Sequence, residues 1–321
     1  MIDLVTLGEI LIDMFPMEIG CRLGEVTAFL PKPGGAPANV AVAASKLGIK
    51  SAFIGKVGQD AFGEKLISSL ADQGVETRGI CKDAIYRTTM ALIAMPDEFS
   101  AEIIFYRNPG ADLCLREDEL DKPLLENAMI FHSGSLSLVD DPARSAHFAA
   151  VRIAQSSGGI VSFDVNFRPT LWDDPNAALE QIWKMVHLTD ILKCNENEIQ
   201  LLTGLSEVEK VAEQLLLEGP KLVVVTMGQL GSYYCSRIAR GFMPAFKVKT
   251  VDSIGCGDAF IAGLLSRIIK EGKGVDYQSE EFLKPAFRYA SAVGAITALT
   301  KGVIPALPSA RQVDEFLAQN P

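Results

Sequence analysis

The chain has 321 residues, of which 48% are hydrophobic and 22% are charged. This apolar content supports a large buried core and excludes a disordered chain. The formal net charge of −10 argues against nucleic acid or an anionic membrane as a partner, because both bind through Lys and Arg.

The N-terminus lacks the basic stretch and small-residue cleavage site of a signal peptide, and no apolar run approaches about 18 residues. Six cysteines lie far apart without a C-x-x-C motif, and the chain has three histidines. A structural zinc site is therefore not expected. We expect a cytoplasmic enzyme with reduced thiols.

Short apolar runs alternate along the chain with amphipathic stretches of helical length. The predicted strands, in chain order, are Leu4–Leu7, Ala52–Ile54, Met129–Phe131, Ile160–Phe163, Ile191–Leu192 and Leu222–Val225. The predicted helices are Pro37–Leu47, Phe62–Gln73, Pro142–Gln155, Pro175–Val186, Asn195–Leu202, Asp258–Lys270, Phe282–Leu299 and Ala310–Leu317. This alternation predicts an α/β fold with a mainly parallel sheet between helix layers.

Two segments, residues 10–32 and 86–107, have no helical period. The second predicts two short strands, Thr89–Ala94 and Glu102–Tyr106, around Pro96-Asp97-Glu98. We expect both segments to leave the main sheet and form a small β lid. The rest of the chain shows no linker or repeat that would mark a domain boundary.

The sharpest motif is Gly255-Cys256-Gly257-Asp258, which precedes an apolar helical run. The glycines allow a tight turn, and the free N–H groups of a helix start attract an anion. A carboxylate at Asp258 would lie beside that anion and could accept a proton from an attacking hydroxyl. The alternative is that Asp258 only caps the helix.

Other glycine motifs fit less well. A dinucleotide fingerprint needs a third glycine where the chain has Phe260, and no P-loop sequence occurs. The loop Gly34-Gly35 precedes an Ala-rich helix that carries Asn39. It could hold a sugar against its backbone, or it could be a turn without a ligand-binding role.

Three further groups of residues follow predicted strands. Asn195 and Glu198 share one helix face and suit a hydrated Mg²⁺, or they cap the helix. The turn from Thr226 to Gly231, which includes Gly228, could form one side of a nucleotide-binding site. Asp164, Asn166 and Arg168 alternate at strand spacing and predict polar groups on one side, or else a surface turn.

In chain order these motifs resemble the PfkB carbohydrate kinase family, which has a ribokinase-like fold. Gly34-Gly35 with Asn39 is similar to its first signature, residues 252–260 to its second, and Asn195–Glu198 to its metal motif. Three stretches resemble fructokinases within the family: residues 8–13, 106–112 and 163–172. The resemblance spans nearly the whole chain and implies one three-layer α/β/α domain over residues 1–321.

The resemblance also implies roles for individual residues. Sugar hydroxyls would be held by Asp13, Gly34, Gly35 and Asn39, with Arg107 and Asn166 nearby and Arg168 facing the phosphoryl group or the sugar. Residues Gly255, Cys256, Gly257 and Asp258 would supply the anion hole and the base. The nucleotide would lie against Thr226, Gly228, Gly231 and Ser291.

It implies ATP and Mg²⁺ as cofactors, a possible K⁺ site at Asp252, and a homodimer formed through the lid. The expected reaction transfers the γ-phosphoryl group of ATP to the primary hydroxyl of a ketohexose, D-fructose in the first instance. Departures from the family pattern at residues 110, 165, 253, 254 and 256 remove no catalytic group. They leave the sugar and the cation open.

Alternatives remain at this point. A Tyr-Arg pair at residues 106 and 107 could hold the carboxylate of 2-keto-3-deoxygluconate. A sugar-binding regulator that lacks catalytic activity is the alternative from another functional class of protein. Asp258 and the anion loop, residues 255–258, argue against it. The Cys256 thiol would have a lowered pKa if it lies at an accessible helix N-terminus, whereas burial would act the other way.

Overall fold

The computed structural model describes residues 2–97 and 102–321. Its strands are β1 Leu4–Leu7, β2 Leu11–Pro16, β3 Phe29–Gly34, β4 Ser51–Gly58, β5 Glu76–Asp83, β6 Met90–Ala94, β7 Glu102–Tyr106, β8 Ile130–Gly134, β9 Ile160–Asp164, β10 Ile191–Asn195, β11 Leu222–Thr226, β12 Gly231–Ser236 and β13 Arg240–Pro244. Its helices are α1 Ala36–Lys46, α2 Ala61–Asp72, α3 Lys122–Asn127, α4 Ala143–Ser156, α5 Pro175–Val186, α6 Glu196–Thr203, α7 Val208–Leu217, α8 Cys256–Glu271, α9 Glu280–Thr297, α10 Val303–Ala306 and α11 Ala310–Gln319.

Within the described residues, nine strands form the main sheet in the order β13-β12-β11-β10-β9-β8-β1-β4-β5. The strands from β11 to β5 run parallel, and β12 and β13 are added antiparallel at one edge. All six predicted strands are present in this sheet. They are continuously apolar because helices cover both of its faces.

Successive strand residues face opposite sides of the sheet and bury into two separate cores. Leu4 and Val224 pack with α1, α8 and α9 on one face, whereas Val5 and Val223 pack with α4, α5 and α7 on the other. The predicted helices agree with the observed ones to within about two residues at each end. The three-layer α/β/α architecture expected from the sequence is confirmed.

A second, small sheet has the strand order β3-β2-β6-β7 and is built from the two segments that lack a helical period. Its central pair, β2 and β6, is parallel, and both outer pairs are antiparallel. Strand β3 continues to Gly34, two residues beyond the expected limit of the first segment. Of the predicted turn between β6 and β7, Glu98 lies outside the described residues.

The sequence pattern did not single out β5, β12, β13 or α7. Strand β5 is an edge strand with the sequence ETRGICKD, which lacks the apolar run of a central strand because only part of it is covered. Among the described residues, no helix is long and apolar enough to cross a membrane.

Candidate active site

The polar residues singled out from the sequence lie at the carboxyl ends of the parallel strands. Asp164 ends β9, Asn195 ends β10 and Thr226 ends β11, while the glycine loops lead into α1 and α8. In an open α/β sheet this edge is where ligands bind, because helix starts and loops converge there.

Helix α8 begins at Gly255, whose φ of +79° places it in the left-handed region. A Cβ atom there would overlap the side chain of Val303, so the turn requires glycine on two counts. The Cys256 amide donates to the Ser253 carbonyl at 3.3 Å and is not free for an anion, contrary to the role expected for it. The Gly257 and Asp258 amides of the first turn are the donors that a helix start leaves for a ligand.

Asp258 lies in this first turn and is partly buried. The Asn39 side-chain amide donates to Asp258 Oδ2 at 2.8 Å, which joins the starts of α1 and α8. Burial raises the pKa of Asp258 to about 6, while the hydrogen bond from Asn39 acts in the opposite direction. A carboxylate with such a pKa is mostly ionised at neutral pH and still basic enough to accept a proton.

Lys193 is a site residue that the sequence reasoning did not select. Its buried ammonium lies 2.7 Å from Asp164 Oδ2 and would be 3.3 Å from a Cβ atom at Gly257. Burial lowers the pKa of Lys193, but the negative charges of Asp164, Glu198 and Asp258 together outweigh this and the pKa is raised. The group is therefore a cation beside the anion loop. A lysine inside the apolar strand ILKCN was the available signal, because a buried charge requires a partner.

Asp13 lies on β2 and faces the same space. Burial and, to a lesser extent, the charge of Asp258 raise its pKa to about 7, while the charge of Arg168 acts in the opposite direction. A Cβ atom at Gly34 would overlap the Asp13 carboxylate, so this glycine makes room for the acid. The structure thus brings Asp13 and Gly34 of two paired strands together with Arg168 and Asp258, which lie far from them in sequence.

At the start of α1 an acidic side chain binds the first backbone amide of the helix. Gly35 has a φ of +109°, and a Cβ atom there would overlap the Glu9 carbonyl. Glu9 Oε1 accepts a hydrogen bond from the Ala36 amide at 2.9 Å, and burial raises the pKa of Glu9 to about 7. Glu9 stands in the motif that resembles fructokinases but was not expected to belong to the site.

Arg107 and Asn166 were both expected near the sugar, and the structure shows the local surroundings of each. The Arg107 side chain is only 2% exposed and pairs with Asp112 at 2.5 Å. Strand β9 ends at Asp164, and Asn166 has a φ of +37°. The expected alternation of Asp164, Asn166 and Arg168 on one strand face is therefore wrong, because the chain turns after the first of them.

A cavity of about 540 Å³ adjoins the start of α8. Its lining includes all four residues expected to contact the nucleotide, Thr226, Gly228, Gly231 and Ser291, as well as Cys256, Gly257 and Phe260. A larger groove of about 910 Å³ lies beside Ser51 and Glu76, at the amino ends of β4 and β5 and therefore at the opposite edge of the sheet. It contains none of the predicted residues.

Asn195 and Glu198 form a capping box at the start of α6. Asn195 Oδ1 accepts from the Glu198 amide at 3.0 Å, and Glu198 Oε2 accepts from the Asn195 amide at 2.8 Å. Glu198 Oε1 accepts from the Phe167 amide at 2.8 Å, which fixes the turn after β9. The helix-cap interpretation thus describes the arrangement as it stands.

Asp252 likewise binds backbone with both oxygens, since it accepts from the Ile254 amide at 3.0 Å and the Gly302 amide at 2.9 Å. In the part of the chain that the structure describes, three or more His, Cys, Asp or Glu side chains do not cluster as a metal site would require. A metal here would be held largely by phosphate oxygens and water, as Mg²⁺ usually is.

The Cys256 thiol does not have the lowered pKa expected of an accessible helix N-terminus. Its sulfur lies 3.8 Å from the Asp252 carbonyl. Burial raises the pKa of Cys256 to about 12, and the charges of Asp252 and Asp258 act in the same direction. Of the two effects weighed from the sequence, burial is the stronger.

An anion-binding helix start, a carboxylate beside it and an adjoining cavity at one sheet edge define a phosphoryl-transfer enzyme on an α/β fold. Residues 1–310 match the model of the pfkB family carbohydrate kinases, and the chain belongs to that family.

Three known proteins resemble the chain over nearly its whole length. It is 43% identical to fructokinase-1 of Zea mays over 314 residues, which cover 98% of this chain and 97% of the relative. A structure of the fructokinase of Xylella fastidiosa with bound ATP superposes with a TM-score of 0.91 at 34% identity, over 99% of this chain and 98% of that one. A double mutant of the fructokinase of Vibrio cholerae O395, solved with fructose, ADP and a potassium ion, has a TM-score of 0.88 at 32% identity and covers 98% of each chain.

Proposed function

We propose that the protein catalyses ATP-dependent phosphorylation of D-fructose at its primary hydroxyl, giving fructose 6-phosphate. The observation that carries the proposal is the position of Asp258. It directly follows Cys256 and Gly257, which line the cavity at the start of α8, and its charge acts on Asp13, so one carboxylate lies next to both the proposed nucleotide site and the proposed sugar site. The fructokinase relatives support fructose as the sugar.

In this proposal Asp258 accepts the proton of the attacking hydroxyl. Asn39 orients the carboxylate through its hydrogen bond of 2.8 Å and keeps it partly ionised by lowering its pKa. Asp13 accepts hydrogen bonds from sugar hydroxyls, and Arg168 offsets the negative charge that Asp13 and Asp258 share. Gly34, Gly35 and Asn166 border the sugar through their backbone.

The γ-phosphoryl group would rest on the Gly257 and Asp258 amides. Lys193 adds positive charge beside them, because its ammonium lies near Gly257. Thr226, Gly228, Gly231 and Ser291 would contact the nucleotide in the cavity. Donors already fixed toward a phosphoryl group stabilise its transition state without reorganisation.

Mg²⁺ would arrive with ATP and supply charge neutralisation on its phosphates. Asn195 and Glu198 would hold it through water, using oxygen lone pairs that their capping bonds leave free. K⁺ would bind near Asp252, beside the loop at residues 255–258. The Vibrio cholerae structure contains a potassium ion, which supports a monovalent cation in this proposal. The Asp252 carboxylate fixes that loop through Gly302 and Ile254.

We propose that the small sheet is a lid on a single kinase domain, and that it also carries a dimer contact. Its outer strands expose three large apolar side chains that a second copy of the chain could cover, Leu30 at 50%, Ile104 at 53% and Tyr106 at 60%. Sedimentation equilibrium tests the contact. The wild type should be a dimer and Tyr106→Glu largely a monomer, whereas a monomeric wild type would remove the proposal.

A coupled assay of ADP release tests the substrate, with fructose, ribose, adenosine and 2-keto-3-deoxygluconate as acceptors. Fructose should be preferred, because the Asp112 carboxylate already offsets the charge of the buried Arg107 guanidinium and weakens its attraction for a sugar acid. A preference for 2-keto-3-deoxygluconate would overturn the choice of fructose. Sugar binding without ADP release from any acceptor would point to a regulator.

The six unpaired cysteines suit a reducing, cytoplasmic location.

A further inference from the structure

In the described part of the chain, the backbone crosses four times between the main sheet and the small sheet. The crossings are residues 8–10, Gly35, residues 84–89 and residues 107–110, as defined by the ends of the flanking elements. Any movement of the small sheet relative to the main sheet must change the backbone at these places. Contacts among the crossings therefore select the stable positions of the small sheet.

Side chains tie the crossings together in two pairs. In the first pair, Glu9 accepts a hydrogen bond from the Ala36 amide at 2.9 Å, so the first crossing is bound to the residue that follows the second. In the second pair, the Thr89 hydroxyl at the end of the third crossing donates to Asp112 Oδ1 at 2.5 Å. Asp112 Oδ2 pairs with Arg107 of the fourth crossing, also at 2.5 Å.

Arg107 and Glu9 each leave buried polar atoms without a hydrogen-bond partner. Arg107 Nη2 donates to the Leu136 carbonyl at 3.1 Å, but Nε and Nη1 are buried and unpartnered. Glu9 is 2% exposed, and its Oε2 is also buried and unpartnered. Arg107 and Asp112 supply the charges that act on Glu9: burial raises the pKa of Glu9, Arg107 lowers it and Asp112 raises it.

These unpartnered atoms are complementary, because Glu9 offers an acceptor and Arg107 offers two donors. They also lie on different pairs of crossings. A buried donor or acceptor without a partner costs free energy that a hydrogen bond would recover. An arrangement in which Glu9 Oε2 accepts a hydrogen bond from Arg107 Nε or Nη1 would recover that cost on both side chains.

We propose that Glu9 is a positioning residue whose free oxygen receives Arg107 when the small sheet closes over the sugar, and that this ion pair holds the closed position. The proposal rests on the proposed function, since closure over a bound sugar is part of it. Glu9 acts through Arg107 and through α1, whose Asn39 bonds the base Asp258 at 2.8 Å.

Glu9→Gln is the decisive variant. Its amide oxygen can still accept from Ala36, but the charge that would hold Arg107 is gone. We expect the KM for fructose to rise about tenfold, because a charged hydrogen bond is lost, with kcat changed much less and ATP binding by calorimetry unchanged. In hydrogen exchange, saturating fructose should slow the amides of Leu11–Pro16 and Met90–Ala94 in the wild type, and should slow them much less in Glu9→Gln.

Glu117→Gln is the matched control, because it removes one exposed acidic charge outside the crossings. It should behave as the wild type in both measurements. If Glu9→Gln is too unstable to assay, Glu9→Asp keeps the charge but withdraws it by one methylene, and it should lose part of the protection.

Wild-type KM and full fructose-dependent protection in Glu9→Gln, or full protection in Glu9→Asp, would overturn the proposal. Failure of the wild type to phosphorylate fructose would instead count against the proposed substrate. The exchange measurement would then be made with the sugar that the enzyme does phosphorylate, and the comparison of Glu9→Gln with the wild type would still decide the role of Glu9.

Discussion

The starts of α1 and α8 are alike in sequence and local geometry. Each helix begins after a glycine with positive φ, Gly35 at +109° and Gly255 at +79°, and neither has a side-chain cap. At both glycines a Cβ atom would overlap a neighbouring group. Considered locally, either helix start could attract an anion.

Their tertiary surroundings separate them. At α1 the Ala36 amide is bound by Glu9, and the next residue is Pro37, which has no N–H to offer. At α8 the Lys193 ammonium would lie 3.3 Å from a Cβ atom at Gly257. At α1 a buried acid therefore binds the first amide, whereas at α8 the Gly257 and Asp258 amides are left for the phosphoryl group in the proposed reaction. The contrast shows that a glycine-led helix start becomes an anion site only where its neighbours leave its donors free.

The largest effect should come from Asp258, the proposed base, which joins the starts of the two helices through Asn39. Asp258→Asn keeps the shape and the contact with Asn39 but cannot accept a proton, so kcat should fall by about 10²–10⁴ while ATP affinity changes little. Steady-state kinetics and calorimetry measure both, with the exposed Asp72→Asn as control. Activity within a few-fold of wild type would show that Asp258 is not the base.

The next effect concerns the sugar side. Asp13→Ala removes a buried acceptor, and losing a charged hydrogen bond costs about 1.5–3 kcal/mol. We expect kcat/KM for fructose to fall about 10–100-fold, with ATP binding by the free enzyme retained. Loss of ATP binding as well would mean that Asp13 supports the structure of both sides.

The pH dependence should reflect the raised pKa values of these two acids, about 6 for Asp258 and about 7 for Asp13. The base acts in its ionised form, so kcat should decline as pH falls through about 6. The kcat/KM for fructose should begin to decline nearer 7, and Asp13→Asn should remove that upper inflection. A profile that is flat from pH 8 to 5 would contradict both assignments.

The same raised pKa values predict that folding stability changes with pH in the opposite direction to activity. The pKa values of Asp258 and Asp13 in the folded chain exceed the ordinary value of 3.8. Their contribution to folding stability is therefore largest below about pH 4. It is lost as pH rises from there through about 6 for Asp258 and about 7 for Asp13. Asp258→Asn should therefore raise Tm at pH 8 by a few degrees and have little effect at or below about pH 4. Thermal unfolding at the two pH values checks this trade between stability and function.

A smaller effect is expected at the metal. Glu198→Gln should raise the Mg²⁺ concentration for half-maximal rate several-fold and change the fructose KM less, if Glu198 orients water on Mg²⁺. The exposed Glu196→Gln in the same helical turn is the control. A lowered Tm with an unchanged Mg²⁺ titration would leave Glu198 as the capping residue seen in the structure.

The smallest effect should be at Cys256. With a pKa raised to about 12, its thiol is almost wholly protonated at neutral pH and reacts slowly. Iodoacetamide at pH 7.5 should leave Cys256 unmodified with or without Mg²⁺–ATP, and Cys256→Ala should remain active. Peptide mapping that shows rapid, ATP-protected alkylation of Cys256 would mean that the thiol is more exposed than the structure shows.

The sequence predicted best where the local signal and the tertiary setting agree. The continuous apolar runs of β8 to β11 identified buried parallel strands, and the glycines at 255 and 257 identified the turn into α8. It failed where a partner is remote. Strand β5 joins an edge and needs no apolar run, and Lys193 is acceptable in a buried strand only because Asp164 lies 2.7 Å away.

By itself the sequence determined the α/β alternation, the two segments that form the small sheet and the helix start that carries Asp258. These follow from periodicity and from glycine stereochemistry, which act over a few residues. Only the tertiary structure decided that Glu9 closes α1, that burial raises the pKa of Cys256 and that the chain turns at Asn166. Burial and electrostatics depend on neighbours far away in the chain, and no local pattern records them.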